Sequence, residues 1–338
     1  MTPDRLLRRP SDGSPQGGQA VVAAAARLRA DDGPDDGRPD ALPAAILVSM
    51  HIGFLGLGLI GGSIARAIRA DPEHAGWTMT AWSPTGDGPR RAVADGTLSA
   101  WAESPMAAIA EADLVVLAGP PTACLGSLDG LAGPWRGSLR PDAVVTDVAS
   151  TKAVLVARAD RLGLCFVGGH PMAGRELAGY AGAQADLFAD RPWVLVPGTI
   201  AQAGDIDLVE SLALACGGRV IRMDAQTHDR AVAGISHLPL VLAAALTLAV
   251  VRHGVSGDWP VASRLAASGW RDMTRLARGD VAMGAGIAAT NAPAIAARLR
   301  DLRAELDEWL AELERSGGPD EAALAERLQR ARTALEVS

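Results

Sequence analysis

The sequence predicts an α/β unit with a mostly parallel sheet, followed by an all-helical unit. Three observations predict it. Short apolar strands alternate with helical stretches from residue 51 to about 198. Near 222 the composition shifts to an Ala/Leu-rich run with few strand signals, up to about 315. The chain has 338 residues, enough for two cores.

The expected strands are 52–56, 78–82, 114–118, 144–147, 164–168 and 193–197. Helices such as 61–70 and 151–161 fall between them, and the α/β domain is placed at 50–222. The helical domain is placed at 223–315. Within it Asn291 with Pro293 marks a helix start. Ile295, Leu299, Leu302, Leu306, Trp309 and Leu313 then recur every three or four residues. Such an apolar seam serves either a helical dimer interface or packing within one subunit. Residues 316–338 form a tail, with a polar helix over 319–336. Residues 1–49 are rich in Gly, Pro, Asp and Arg, with an Ala-rich patch at 22–30, and are expected to be disordered. Met50 directly precedes the first strand, so a true start there and a flexible extension both stand. There is no internal repeat.

Composition narrows the function. The chain is 49% hydrophobic and 21% charged, with net charge −7 and no basic stripe. Nucleic acid is therefore not an expected partner. Cys124, Cys165 and Cys216 lie far apart and form no CxxC pair, which argues for a reduced, cytoplasmic setting. The longest apolar run, 238–251, has fourteen residues. A membrane span needs roughly twenty, so a buried helix is expected and no membrane. The N-terminus lacks the apolar stretch and cleavage site of a secretory signal. No His/Cys/carboxylate cluster has metal-ligand spacing.

The chemistry starts at Gly56-x-Gly58-x-x-Gly61, after a strand and at the start of a helix. Glycines there allow a tight turn and close approach to a pyrophosphate, and the helix N-terminus offers N–H groups. This is the signature of a Rossmann-type nucleotide-binding domain. Gly56, Gly58, Leu59, Ile60 and Gly61 are its expected cofactor-binding residues. An acid that binds the NAD ribose belongs at the end of the second strand. Here Ser83 stands at that point, followed by Thr85, Arg90 and Arg91. Missing acid and nearby arginines lean toward NADP. The alternatives are that Asp87 serves instead, or that the arginines are merely solvated.

Further along, Val144–Lys152 places polar groups at a strand's carboxyl end, where ligands bind in open α/β sheets. Asp147 is counted among the cofactor residues. Ser150 is placed to bond a substrate hydroxyl or the nicotinamide, or to cap a helix. Lys152, the chain's single lysine, either steadies the site or is an ordinary first-turn residue. The run Gly168–Gly174 puts His170 on a Gly/Pro-rich loop just after a strand. Its imidazole suits a general base that takes a proton from an alcohol as hydride leaves. His237, before the apolar helix, either reaches the cleft or is a satisfied core histidine. Arg275 either clamps a substrate carboxylate or pairs with Asp272 or Asp280. His51, His74, His228 and His253 are read as surface or structural.

With GFLGLGLIGGS at 53–63, DVASTK at 147–152, GGHPMAGRELAG at 168–179, SHLPL at 236–240 and GWRDMTR at 269–275, the chain resembles the prephenate/arogenate dehydrogenases of tyrosine biosynthesis. The resemblance covers about 51–312. It implies oxidative decarboxylation of prephenate or arogenate with NAD(P)+, giving 4-hydroxyphenylpyruvate or tyrosine, in a homodimer joined through the helical domain. By that likeness His170 engages the ring hydroxyl's proton, Ser150 orients the hydroxyl and His170, Arg275 clamps a carboxylate and His237 lines the pocket. One departure is Leu240, where several prephenate-using members carry a second histidine; arogenate-type members resemble it better. No room is seen for a C-terminal regulatory domain or a fused mutase. Three alternatives stand beside this reading. A β-hydroxyacid dehydrogenase needs a lysine in the helical part, which this chain lacks. A 4-amino-4-deoxyprephenate dehydrogenase would share every motif. A redox sensor would keep only the glycine turn.

Overall fold

The computed structural model describes residues 49–175, 177, 179–253 and 258–336. The expected disorder of 1–49 falls almost wholly outside them, as does the His253 side chain. The centre is a seven-stranded sheet: β1 (His51–Leu55), β2 (Thr78–Trp82), β3 (Leu114–Leu117), β4 (Val144–Asp147), β5 (Phe166–Pro171), β6 (Pro192–Pro197) and β7 (Arg219–Arg222). Their order is β2-β1-β3-β4-β5-β6-β7. The first five strands run parallel. β6 is antiparallel to β5, and β7 parallel to β6. Strand order reverses between β1 and β3, which opens a crevice at their carboxyl ends.

Helices cover both faces. In chain order they are α1 (Leu59–Ala70), α2 (Asp87–Ala94), α3 (Pro105–Ile109), α4 (Pro121–Ala132), α5 (Ala153–Arg161) and α6 (Ala203–Ala215). Alternate side chains on each strand feed opposite cores, as a period of two requires. Ile52, Phe54, Leu114, Val116, Val167, Trp193 and Leu195 pack on one face. Leu55, Val115, Leu117, Val145, Phe166, Val194 and Val196 pack on the other.

From Ala225 the chain is helical: α7 (Ala225–Val232), a π-helical turn at Ala233–His237, α8 (Leu238–His253), α9 (Trp259–Leu265), α10 (Ser268–Thr274), α11 (Val281–Thr290), α12 (Ala292–Leu313) and α13 (Glu321–Glu336). Its buried apolar cluster is small, Ala233, Ile287 and Ile295, with Leu240, Val241, Met283 and Ala294 against it. Of the expected seam only Ile295 is buried; Leu306 and Leu313 are more than half exposed.

Two sequence expectations need correction. β7 was missed, because four residues with an arginine at each end carry little strand signal. The strand expected at 164–168 is β5, Phe166–Pro171, so His170 lies inside a strand and not on a loop after it. Glycine and proline made the segment read as a loop. Yet β4 pairs β5 only through Phe166 and Val167, so Pro171 interrupts no ladder on that side. Gly169 is needed because a Cβ there would stand 2.5 Å from the Asp147 carbonyl oxygen.

Candidate active site

The glycine turn joins β1 to α1. Gly56 has φ +102°, and a Cβ on it would lie 2.7 Å from the Ala118 carbonyl oxygen. A Cβ on Gly61 would lie 2.9 Å from the Gly56 carbonyl oxygen. Gly58 faces open space and caps α1 without a side chain. Leu59 and Ile60 begin the helix, half-buried. Bare backbone N–H groups at a helix N-terminus beside open space form a cradle for a pyrophosphate. The described residues therefore fit a dinucleotide.

At the end of β2, the Ser83 hydroxyl oxygen is buried and has no hydrogen-bond partner among the described residues. Arg90 lies over the Trp101 ring, 4.7 Å from its centroid, and donates to the Thr85 carbonyl at 3.4 Å. Asp87 is taken by Arg91 at 3.0 Å.

Deeper in, Lys152 is fully buried and donates to the Asp147 carboxylate and to the Gly169 carbonyl at 2.7 Å. Asp147 also accepts from the N–H groups of Ala149 at 2.9 Å and Gly169 at 3.2 Å. Burial pushes its carboxyl upward, against the pull of Lys152. With no exposure and both oxygens engaged, Asp147 holds β5 in place; this corrects its reading as a cofactor ligand. Lys152 is correspondingly the group that steadies the strand under His170.

His170 is 7% exposed. Its Nδ1 lies 2.8 Å from Nε2 of His228, whose Nδ1 lies 2.8 Å from the Asp229 carboxylate. His228 is 1% exposed, so it is no surface residue. Burial drives the His170 imidazole well below its usual range, helped by His228, Lys152 and His237. The direction of that shift favours the neutral imidazole. Burial alone would raise the Asp229 carboxyl. Hydrogen bonds from His228 and from the N–H groups of Ala153 and Lys152 outweigh it and hold it below the usual range.

Those N–H groups open α5, and Asp229 caps it from the other domain at 2.8 and 2.9 Å. Ser150 lies short of the helix and does not cap it, which corrects that half of its reading; it is half-buried at the β4 end of the crevice. Asn291 donates to the Asp229 carbonyl at 2.8 Å and to Nδ1 of His237 at 3.1 Å. The Thr151 and Thr290 hydroxyls meet at 2.9 Å. The helical domain therefore clamps the segment after β4.

His237 is fully buried at the end of the π-helical turn. Such turns are frequent at functional sites. Because its Nδ1 accepts from Asn291, its Nε2 carries the proton, and that nitrogen makes no well-formed hydrogen bond among the described residues although the Ser150 backbone lies near the ring. Burial and His228 push its pKa down to about 4, against Asp229 and the Ser150 backbone. Arg275 opens an exposed 3-10 turn, Arg275–Arg278, packed on α8. The fold thus brings His170, His237, Ser150 and Lys152 to one crevice. Sequence reasoning missed His228, Asp229 and Asn291 as site residues; the polar stretch Gln226–Arg230 that holds the His-Asp pair reads as an ordinary solvated helix turn.

Family models for the prephenate dehydrogenase nucleotide-binding domain and dimerization domain match residues 64–222 and 224–330. The chain belongs to the prephenate/arogenate dehydrogenase family. Its members are dinucleotide-dependent oxidoreductases of tyrosine biosynthesis, and this chain is one of them. A prephenate dehydrogenase from Bacillus subtilis is 32% identical over 263 residues, covering 77% of this chain and 67% of that protein. The arogenate dehydrogenase of Synechocystis is 30% identical, with TM-score 0.69, over 85% of this chain and 99% of that one. The A. aeolicus prephenate dehydrogenase, solved with hydroxyphenyl propionate and NAD+, shares the fold at TM-score 0.76 and 24% identity, over 86% and 98%. The apolar helical stretch Ala225–Arg252, long enough by length and composition to cross a membrane, falls inside the matched dimerization domain.

Proposed function

We propose that this dehydrogenase acts on prephenate or arogenate with His170 as the general base. The supporting observation is the chain of hydrogen bonds that leaves Nε2 of a neutral His170 as its one unengaged nitrogen among the described residues. The ring hydroxyl gives its proton to that nitrogen as hydride departs. Bound NAD(P)+ supplies the hydride acceptor, and loss of the ring carboxylate as CO2 completes the aromatic product. Ser150 orients the hydroxyl. His237 offers its Nε2–H to a substrate oxygen, and Arg275 clamps a carboxylate.

The cofactor is cradled by Gly56–Gly61 and favours NADP+. Support comes from the β2 end, where Ser83 takes the place of the expected acid and Thr85 and Arg90 follow, Asp87 being paired with Arg91. Leu240 is half-buried against Met283's cluster in place of a second histidine, which supports arogenate use beside prephenate. The enzyme works as a cytoplasmic homodimer joined through α8 and α12; the exposed apolar residues there and the free cysteines support this.

The test is reduced-cofactor formation by the purified protein, with prephenate or arogenate, each with NAD+ or NADP+. Turnover with arogenate and NADP+ fastest bears out the reading. NAD+ fastest with both substrates sinks the NADP assignment. No turnover with either substrate, by a protein that still binds dinucleotide, sinks the substrate assignment.

A further inference from the structure

We propose that His228 and Asp229 are positioning residues that lock His170 in the tautomer with its proton on Nδ1. The inference rests on the reading of His170 as base and deepens it. A neutral imidazole has one donor and one acceptor nitrogen, and the wrong tautomer presents an N–H where a base needs a lone pair. The order of donors here is forced from the Asp229 end. A carboxylate only accepts, so His228 Nδ1, 2.8 Å away, carries a proton. With one proton on each ring, His228 Nε2 is then an acceptor. The nitrogen facing it at 2.8 Å, His170 Nδ1, must donate. Nε2 of His170 is left with its lone pair.

The anchor of this chain does not turn. The two Asp229 oxygens accept from Lys152 N at 2.8 Å and Ala153 N at 2.9 Å, at the start of α5. A helix N-terminus favours an anion there. Its carbonyl accepts from Asn291 at 2.8 Å. The two imidazole rings meet edge to face, 76° apart, so neither can flip without losing its bond. His228 and Asp229 come from α7, whereas His170 comes from β5. The base is therefore oriented only when the two domains are docked. The charged or titratable groups around the pair are Asp229, Lys152 and His237.

The experiment uses the full chain labelled with 15N-histidine, read at pH 8 beside steady-state kinetics. The wild type is expected to show His170 protonated at Nδ1. His228→Leu removes the acceptor. It should lower kcat by about tenfold to hundredfold, with KM changed less than about twofold and His170 shifted toward the other tautomer. His228→Gln offers an amide oxygen to His170 and an amide N–H to Asp229. It should return kcat to within roughly threefold of wild type and restore the tautomer. Wild-type His170 protonated at Nε2 overturns the proposal, as does a folded His228→Leu enzyme with unchanged kcat. A Gln variant no better than Leu also overturns it. Should His228→Leu fail to fold, the wild-type tautomer and the Gln variant decide. A His170→Ala enzyme with normal turnover would sink the base assignment alone, and would leave the tautomer result standing.

Discussion

The sheet domain and the helical domain deal with their apolar residues in opposite ways. In the first, β1, β3, β4 and β6 bury side chains on both faces, and two extensive cores result. In the second, Ala233, Ile287 and Ile295 are the buried centre, while Leu248, Val251, Leu306, Leu310 and Leu313 stand exposed. Only 11% of the most apolar window of Ala225–Arg252 is buried. A helix that apolar and that exposed needs cover from another surface. The sheet domain is complete as one chain, and the helical domain is built to be completed by a second copy. The candidate site lies between them: the sheet supplies His170, and the helical part supplies His228 and Asp229, to which it is hydrogen-bonded.

The largest effect is expected at His170. His170→Ala should lower kcat by about 10²–10⁴-fold while the dissociation constant for cofactor stays put, since the glycine cradle is untouched. Cofactor titration beside turnover checks the split. Next comes the exposed seam. Leu306→Arg with Leu310→Arg should convert a dimer to monomer and lower Tm at fixed concentration, read by sedimentation; a wild type that is already monomeric refutes the contrast between domains.

Acid should act on the interdomain histidines. His170 and His237 both have folded pKa values below the unfolded value, that of His237 about 4. The unfolded chain then binds more protons between pH 6.5 and 4, so stability present above pH 6.5 is lost as pH falls. The slope is at most about 1.4 kcal/mol per pH unit for each histidine, measurable by urea titration at pH 7, 6 and 5. A flat profile would mean these histidines titrate normally. A smaller effect is expected from Gly56→Ala, which strains a left-handed residue by about 1–3 kcal/mol and should weaken cofactor binding about tenfold. Smallest is Ser83→Asp, which should move the NADP+/NAD+ ratio of kcat/KM several-fold toward NAD+.

Legibility in the sequence followed the range of the interactions. The glycine turn was legible because its constraint is local: φ +102° at Gly56 admits glycine and little else. The parallel strands and the start of α12 at Asn291 and Pro293 were legible for the same reason. His170 was found as a residue but placed on a loop, because the partner that extends β5 is β6, which lies more than twenty residues on. His228 was passed over because its significance is a contact 58 residues away.

The residue types were therefore determined by the chain itself: a glycine cradle, a candidate histidine after a strand, a single lysine, an apolar seam. Their assignments to roles were decided by tertiary structure. Asp147 turned inward to Lys152, Ser150 gave up the helix cap to Asp229, and His228 became the partner of His170. Periodicity and turn chemistry are set by neighbours in sequence. A hydrogen bond between buried polar groups is set by which elements the cores bring together, and desolvation makes those meetings obligatory.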